Sequence, residues 1–239
     1  MSESPNNSNE RKPDSIADPM PDPGSHLVIT LDGVGGTGIL PFSLMAAAKL
    51  GGTKLKVQRY FWNHGLFMPF HDLLDKAHID QKGAELATLI ETLAKEHSVQ
   101  LVAKSGGSLV AIKALELLAP NKVVRTVLLS PAISPQYDLS RALQAVERSL
   151  ICYYSPYDRL ILGLGTSLFG TSDGVRTVSA GCLGFAVAPD VCLYPEQYIK
   201  LEQERWQPAM LKQFHNGMHA GNSSTPWLLK NVVPRLIEN

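Results

Sequence analysis

A serine lies where an apolar strand pattern gives way to a helical pattern. Val99 to Ala103 is a short apolar run typical of a buried strand, and Ser108 to Leu118 carries apolar residues at helical spacing. The turn between them would lift the hydroxyl of Ser105 clear of the sheet and place the amide of Gly106 at a helix N-terminus, where negative charge is stabilised. Such a turn is typical of a nucleophilic serine. Ser-Gly-Gly is equally compatible with a simple turn between a strand and a helix.

A carboxylate and a histidine follow the serine along the chain. Asp158 comes after a later strand pattern, and His219 lies in a loop before the last helical pattern. A histidine can take the proton of a serine, and a carboxylate can orient the imidazole and stabilise the imidazolium. Asp158 is also a good turn residue, Asp173 is a weaker substitute for it, and His215 is a rival of His219. We prefer His219 because glycines lie two residues to either side of it.

A glycine-rich turn spans Asp32 to Gly38, directly after the first strand pattern. Gly33, Gly35 and Gly38 satisfy the G-x-G-x-x-G spacing of dinucleotide-binding loops, in which a pyrophosphate approaches a helix N-terminus. That fingerprint expects an acidic residue at the end of the next strand, but the second strand of this chain carries Lys56 and Arg59 and ends in Asn63-His64. Arg59 can accept the 2′-phosphate of NADP. A Rossmann-like NADP-binding protein is therefore an alternative, but it leaves the serine, the aspartate and the histidine without a role.

Strand and helix patterns alternate about six times along the chain. Strands are predicted at His26–Leu31, Lys54–Trp62, Val99–Ala103, Val123–Leu129, Ser149–Tyr154 and Val178–Val187. Helices are predicted at Ile39–Leu50, Gly83–His97, Ser108–Leu118, Leu139–Val146, Glu196–Trp206 and Thr225–Ile237. The alternation predicts an α/β fold with one open, mostly parallel twisted sheet of about six strands and helices on both faces.

Polar residues follow several of the predicted strands. In open parallel sheets the functional groups collect beyond the carboxyl ends of the strands. The residues at those positions are Asp32, His64, Ser105, Ser130 and Asp158. We expect His64 to be a polar residue at the rim of the pocket.

These motifs together resemble the α/β-hydrolase fold superfamily. Ala103-Lys-Ser-Gly-Gly107 is similar to its G-x-S-x-G nucleophile elbow, and the chain order Ser, Asp, His is the order of its catalytic triad. The resemblance covers the chain from His26 onwards. It implies that Ser105 is the nucleophile, His219 the general base and then acid, and Asp158 the orienting carboxylate.

The same resemblance implies an oxyanion hole made by the amides of Val34 and Gly106, and the chain departs from the family pattern beside both. Ala103 replaces the first glycine of the elbow. Lys104 replaces a more usual histidine or aromatic residue and is interpreted either as solvated or as attracting an anionic substrate group. Asp32 replaces a common histidine, and its carboxylate would oppose oxyanion charge unless it is turned away or paired, so we favour a turn-capping role for it.

The implied activity is that of an esterase-like or lipase-like serine hydrolase. It would cleave an ester or related acyl bond of a small molecule, with lipid-like substrates among the candidates, through an acyl-enzyme and without a metal or an organic cofactor. The short segment between residues 129 and 149 leaves no room for a large cap domain. Apolar residues in Leu160–Phe169 would line an acyl pocket or belong to the core. A hydrolase-like fold used only for binding is a further alternative, and the sequence does not specify an oligomeric state.

Composition narrows the remaining classes. The 239 residues carry 22 basic and 22 acidic side chains, so the formal net charge is zero and does not favour binding to nucleic acid or to an anionic membrane. No apolar run is long enough to predict stable membrane insertion. Three cysteines without metal-ligand spacing fit the reduced thiols of a cytoplasmic protein. Residues 1–25 are polar and predict a disordered tail, so that residues 26–239 form a single domain.

Overall fold

The computed structural model describes residues 26–65, 68–158 and 170–238, so the predicted tail lies outside the described residues. The strands are β1 (His26–Leu31), β2 (Lys56–Tyr60), β3 (Ser98–Lys104), β4 (Val123–Leu129), β5 (Val146–Tyr154) and β6 (Leu201–Arg205). The α-helices are α1 (Ile39–Leu50), α2 (Pro69–Leu74), α3 (Lys76–Leu93), α4 (Gly107–Leu117), α5 (Ser140–Ala145), α6 (Ala180–Leu183), α7 (Thr225–Asn231) and α8 (Val233–Ile237). None of the helices in these ranges combines the length and the apolar character that crossing a bilayer requires.

The six strands form a parallel sheet in the order β2-β1-β3-β4-β5-β6. The core lies on both faces of this sheet because alternate residues of a buried strand point to opposite sides. Ile29 and Leu31 of β1 belong to the layer shared with α3, α4 and α5, whereas Val28 belongs to the layer shared with α1, α7 and α8. The predicted α/β class, with helices on both faces of one parallel sheet, is confirmed.

The prediction of a final strand at Val178–Val187 is wrong. The short helix α6 lies there, and the sixth strand, β6, lies within Glu196–Trp206, which is the segment predicted to be helical. β6 pairs with β5 at the edge of the sheet, and its last three residues are exposed. An edge strand with charged residues such as Glu202 and Glu204 lacks the apolar alternation from which a strand is predicted.

Two helical segments differ from their predicted bounds. α3 begins earlier than predicted, at Lys76, because the side chain of Asp75 accepts a hydrogen bond of 3.0 Å from the amide of His78 and caps the helix. The predicted helix Thr225–Ile237 is two helices, α7 and α8. Pro234, in the first turn of α8, lacks the amide hydrogen that would continue α7.

β1 and β3 are neighbours in the sheet, yet the helices that follow them lie on opposite faces. The loops after the two strands therefore part at the carboxyl edge and open a crevice, which is where open α/β sheets bind ligands. Asp32 begins one of these loops, and Ser105 begins the other. The strand order also differs from the 3-2-1-4-5-6 order of dinucleotide-binding sheets.

Candidate active site

Ser105 occupies the sharp turn between β3 and α4. Its φ of 52° lies in the left-handed region, which costs a non-glycine residue on the order of 1 kcal/mol or more. Two main-chain hydrogen bonds fix the turn: Ser105 N donates to Leu129 O (3.0 Å), and Ala132 N donates to Ser105 O (3.1 Å). A Cβ on Gly107 would clash with the carbonyl oxygen of Asp32, so glycine is required for α4 to start this close to β1. The backbone thus holds the serine in a strained, tightly packed turn.

Asp158 and His219 meet at the same edge of the sheet. Asp158 follows β5 and is 2% exposed, and its Oδ2 lies 2.7 Å from Nδ1 of His219. A carboxylate at Nδ1 favours the imidazole tautomer with its proton on that nitrogen, which leaves Nε2 as the proton acceptor. The predicted pair of carboxylate and histidine is therefore in hydrogen-bond contact, although the two residues are 61 positions apart.

Ser105 faces the glycine loop after β1. Its Oγ lies 3.9 Å from the position that a Cβ on Gly33 would occupy. Within the described ranges, no hydrogen bond joins Ser105 Oγ to the ring of His219. Such bonds between a nucleophile and its base are often long in unliganded enzymes and shorten when substrate binds. The structure thus brings two of the three predicted residues into direct contact and places the third at the same edge.

His215, the rival histidine, is packed inside the protein. Its Nδ1 accepts a hydrogen bond of 3.1 Å from Gly217 N, and its ring stands edge-on to Trp227 with the centroids 5.0 Å apart. Burial lowers the pKa of His215 to about 4. Asp173, the substitute for Asp158, is bound elsewhere, since it accepts hydrogen bonds from the amide and the hydroxyl of Ser134.

The loop that carries His219 is attached to three strand ends. Each attachment is a buried hydrogen bond, and it involves one side chain at the carboxyl end of β3, β4 or β5. The bonds are Lys104 Nζ to Ser223 Oγ (2.6 Å), Asn222 Nδ2 to Ser130 Oγ (2.8 Å) and Ser155 Oγ to Gly217 O (2.6 Å). These contacts fix the histidine loop relative to the sheet, and no sequence pattern points to them.

Asp32 organises the glycine loop. Its Oδ1 accepts a hydrogen bond from Gly33 N (3.0 Å), and its Oδ2 accepts from Thr37 Oγ1 (3.2 Å) and Gly38 N (2.5 Å). The carboxylate is therefore turned towards the start of α1, where a helix N-terminus stabilises negative charge. The favoured interpretation of Asp32 as a turn-capping residue is confirmed.

The amides of Val34 and Gly106 have no acceptor in the described part of the chain. By contrast, Gly33 N and Gly35 N donate to carboxylates. The side chain of Val34 packs against Gly106, since a Cβ on Gly106 would lie 2.9 Å from Cγ1 of Val34. The two amides that the sequence implies as oxyanion donors are thus not used by another described residue.

Solved structures of ester-cleaving enzymes share this architecture. A poly(3-hydroxybutyrate) depolymerase from Bordetella parapertussis is 11% identical and has a TM-score of 0.52, with 90% of this chain and 86% of the depolymerase covered. An esterase from Pyrococcus furiosus is 12% identical, with a TM-score of 0.51 and coverage of 91% and 83%. Lipase B from Aspergillus fumigatus is 15% identical and has a TM-score of 0.51; 87% of this chain is covered, but only 51% of the lipase. The protein has an α/β-hydrolase fold.

Neither a protein-family model nor a curated sequence matches the chain. At identities of 11–15% the likeness to the solved structures is a likeness of fold. The chemistry of this α/β-hydrolase fold must therefore be argued from its own residues.

The glycine loop of the α/β-hydrolase fold is unsuited to the NADP alternative. The amides of Gly33 and Gly38 donate to Asp32, and the amide of Gly35 donates to the carboxylate of Asp72 at 2.7 Å. A pyrophosphate needs such amides and would be repelled by both carboxylates. The guanidinium of Arg59, proposed for the 2′-phosphate, donates instead to the carbonyl oxygen of Gly36.

Asp72 supports the glycine loop and was missed by the sequence prediction. It is fully buried and accepts hydrogen bonds from Gly35 N, Asn63 Nδ2, His64 N and His64 Nδ1. Burial alone would raise the pKa of Asp72, but these hydrogen bonds outweigh it and hold the pKa below its usual value. Asp72 lies in a segment without clear periodicity, far from Gly35 in sequence, so no local signal connects them. His64, expected at the rim, is a partner of this buried carboxylate.

Lys104 is neither solvated nor on the surface. It is 9% exposed, and its ammonium donates to Ser223 Oγ at 2.6 Å. Burial lowers the pKa of Lys104, and attraction to the carboxylates of Asp32 and Asp158 opposes that shift without cancelling it. The solvated interpretation of this lysine is wrong.

The predicted acyl pocket lies outside the described residues. Its proposed lining residues all fall between positions 159 and 169. They are Leu160, Leu162, Leu164, Leu168 and Phe169.

Proposed function

We propose that this protein is a serine hydrolase that cleaves an ester or related acyl bond. Ser105 is the nucleophile, His219 the general base and then acid, and Asp158 the carboxylate that orients the imidazole. The observation that carries the proposal is the 2.7 Å contact of His219 Nδ1 with Asp158 Oδ2, at the sheet edge where Ser105 occupies a left-handed turn. This contact fixes the tautomer that can accept the proton of a serine.

In the proposed reaction, Ser105 Oγ attacks the carbonyl carbon of the ester while Nε2 of His219 takes its proton. The carbonyl oxygen becomes an oxyanion and accepts hydrogen bonds from the amides of Val34 and Gly106. His219 then gives the proton to the leaving oxygen, which departs as an alcohol and leaves an acyl-enzyme. A water molecule, deprotonated by His219, releases the acid and restores the serine.

The two proposed oxyanion donors contribute through hydrogen bonds that strengthen as charge develops. Removing one such donor typically costs about 3 to 4 kcal/mol of transition-state stabilisation. Val34 and Gly106 suit this role because the two residues are in contact and their amides lack acceptors in the described part of the chain. Their neighbours Gly33 and Gly35 do not suit it, since their amides are already bonded.

A binding protein without catalysis is the alternative that shares the fold. A depolymerase, an esterase and a lipase have this architecture, which favours hydrolysis of small-molecule esters over binding alone. The ordered contact of His219 with Asp158 also favours catalysis, because a binding site has no need for it. The three cysteines, all in the described part of the chain, form no disulfide, which fits the reducing, cytoplasmic location that we include in the proposal.

The proposal is tested with a fluorophosphonate probe, which labels serines activated for nucleophilic attack. We expect wild-type protein to be labelled, Ser105→Ala to show no labelling, and His219→Ala to show a large loss. Ser108→Ala is the matched control, because it removes a buried hydroxyl from the first turn of α4, three residues after Ser105. Folded wild-type protein that resists the probe, or labelling that survives Ser105→Ala, would contradict the proposal.

A further inference from the structure

Asp32 and Lys104, the two charged departures from the family pattern, lie side by side. β1 and β3 are parallel neighbours, and their last paired residues are Leu31 and Ala103. The next residue on each strand is therefore Asp32 and Lys104, at the same edge and in the same register. Their side chains are not joined by an ion pair within 4 Å, since Asp32 accepts hydrogen bonds from the glycine loop and Lys104 donates to Ser223.

The charges under the proposed site are buried. Asp32, Lys104 and Asp158 are 4%, 9% and 2% exposed. Buried charges are unfavourable unless a charge of opposite sign or hydrogen bonds compensate for them. His215 also lies near this group, but its pKa of about 4 makes it neutral at neutral pH. Lys104 is attracted by the carboxylates of Asp32 and Asp158, and Asp158 is also hydrogen-bonded to His219.

Each departure stands two residues before a proposed oxyanion donor. Asp32 precedes Val34, and Lys104 precedes Gly106. An oxyanion held by these two amides would be repelled by the Asp32 carboxylate and attracted by the Lys104 ammonium. Interactions of this kind remain strong in a site with little water, because the local dielectric constant is low.

We propose that Lys104 is the counter-charge that allows Asp32 to remain in the oxyanion loop. Asp32 is needed to hold the glycine loop, and the buried ammonium of Lys104 offsets its negative charge where the oxyanion forms. This inference rests on the proposed serine hydrolase function. Lys104 is a positioning residue in this scheme, since it acts through the electrostatic field and does not touch the substrate. Ser223 fixes the ammonium in place.

A double-mutant cycle of Asp32 and Lys104 tests the inference. The variants are Lys104→Met, Asp32→Asn and the double variant, assayed at neutral pH with a p-nitrophenyl ester. Lys104→Met should lower kcat roughly tenfold or more with less than about a twofold change in KM, because the ester carries no charge before attack. The double variant should be at least about fivefold more active than expected if the two single effects multiplied. Once Asp32 is replaced by asparagine, there is no negative charge for Lys104 to offset, so losing the lysine costs less.

A trifluoromethyl ketone gives a second readout that folding defects do not imitate. Ser105 Oγ adds to the ketone carbon, its proton passes to His219, and the ketone oxygen becomes an oxyanion. Lys104→Met should raise the inhibition constant of this compound by roughly the same factor as it lowers kcat/KM. A purely structural role would weaken the binding of the neutral ester equally, which KM would report.

Two control variants separate charge from packing. Lys113→Met removes a lysine of α4 that pairs at the surface with Glu116 and should change kcat by less than about twofold. Ser223→Ala keeps the charge of Lys104 but removes its hydrogen-bond acceptor, and should lower kcat less than Lys104→Met does. Thermal melting followed by circular dichroism checks that each variant is folded.

The outcomes are distinct. Single effects that simply multiply, or a trifluoromethyl ketone that inhibits Lys104→Met as well as wild type, would overturn the inference while the hydrolase function stands. Wild-type protein that is inert to both the ester and the fluorophosphonate probe would overturn the hydrolase function and the inference with it. If the double variant does not fold, the inhibitor comparison on Lys104→Met decides alone.

Discussion

Ser105 and Ser130 have almost the same backbone geometry but are used differently. They follow the adjacent strands β3 and β4, their φ angles are 52° and 46°, and both are buried. Each donates its amide to the next strand, at 3.0 Å to Leu129 O and at 2.9 Å to Tyr153 O. The hydroxyl of Ser130 accepts a hydrogen bond from Asn222, whereas the hydroxyl of Ser105 faces the glycine loop.

The residues that follow the two serines explain the difference. Ser105 is followed by Gly106 and the start of α4, so an unpaired amide lies next to the hydroxyl. Ser130 is followed by Pro131, which has no amide hydrogen and starts no helix. A strained serine at a strand end is therefore insufficient evidence for a nucleophile, and the donors that come after it are what distinguish the two.

Alanine substitution of the two serines should separate them most strongly. Ser105→Ala should lower kcat by about 10⁴-fold or more without destabilising the fold, since only the nucleophile is lost. Ser130→Ala leaves Asn222 Nδ2 without its acceptor and should cost about 1 to 2 kcal/mol of stability, with a loss of kcat of tenfold or less. Ester hydrolysis and urea unfolding measure the two effects. Equal losses of activity would remove the proposed distinction.

Low pH should destabilise the fold through His215, which lines a small cavity with Ser130 and Trp227. The pKa of His215 is about 4 when folded, and the usual value is 6.5. Between these values the unfolded chain binds a proton that the folded chain does not, so stability falls as the pH is lowered from 6.5 to 4. The loss attributable to His215 should be about 2 to 3 kcal/mol.

The variant His215→Phe should remove that part of the acid sensitivity, because phenylalanine has no proton to gain on unfolding. Unfolding free energies of both proteins, measured with urea at pH 7 and pH 4.5, give the comparison. A variant that loses as much stability as wild type would show that other groups cause the effect.

Gly107→Ala tests the close packing of the turn at Ser105, which continues into α4, whereas the turn at Ser130 does not continue into a helix. The added Cβ would clash with the carbonyl oxygen of Asp32, so the variant should be destabilised by about 1 to 3 kcal/mol. Pro131→Ala, at the corresponding turn after β4, should change stability by less than about 1 kcal/mol. Chemical denaturation of the two variants is the measurement, and a harmless Gly107→Ala would show that the two backbones can separate.

Replacing each serine by glycine should give the smallest difference between the two turns, measured as a change in stability. Ser105→Gly relieves the left-handed strain and should stabilise the fold by about 0.5 to 1 kcal/mol, while abolishing activity. Ser130→Gly relieves similar strain but loses the hydrogen bond from Asn222, so it should give no gain. Melting temperatures of the pair test this, and a gain at both sites would mean that the bond of Asn222 contributes little.

The sequence predicts what depends on local patterns. β1, α1 and β4 have their predicted bounds because apolar periodicity and a glycine turn specify them. The positions of Ser105 and Asp158 after predicted strands likewise place them at the carboxyl edge of the sheet, where His219 contacts Asp158. β6 escapes prediction because it is an exposed edge strand, and Asp72 because it acts on a loop distant in sequence. The burial of Lys104 depends on Ser223, which no periodicity connects to it.

The attachments of the histidine loop also bear on when the site forms. They join residues 119, 92 and 62 positions apart in the chain, and each is made at the end of a different strand. Contacts of such large sequence separation form late in folding because closing their loops costs the most entropy. His219 therefore reaches its place only when the sheet beneath it is complete, and a partly folded chain would hold an inert serine. If the proposed function holds, labelling of Ser105 by an acylating reagent would therefore mark fully folded molecules.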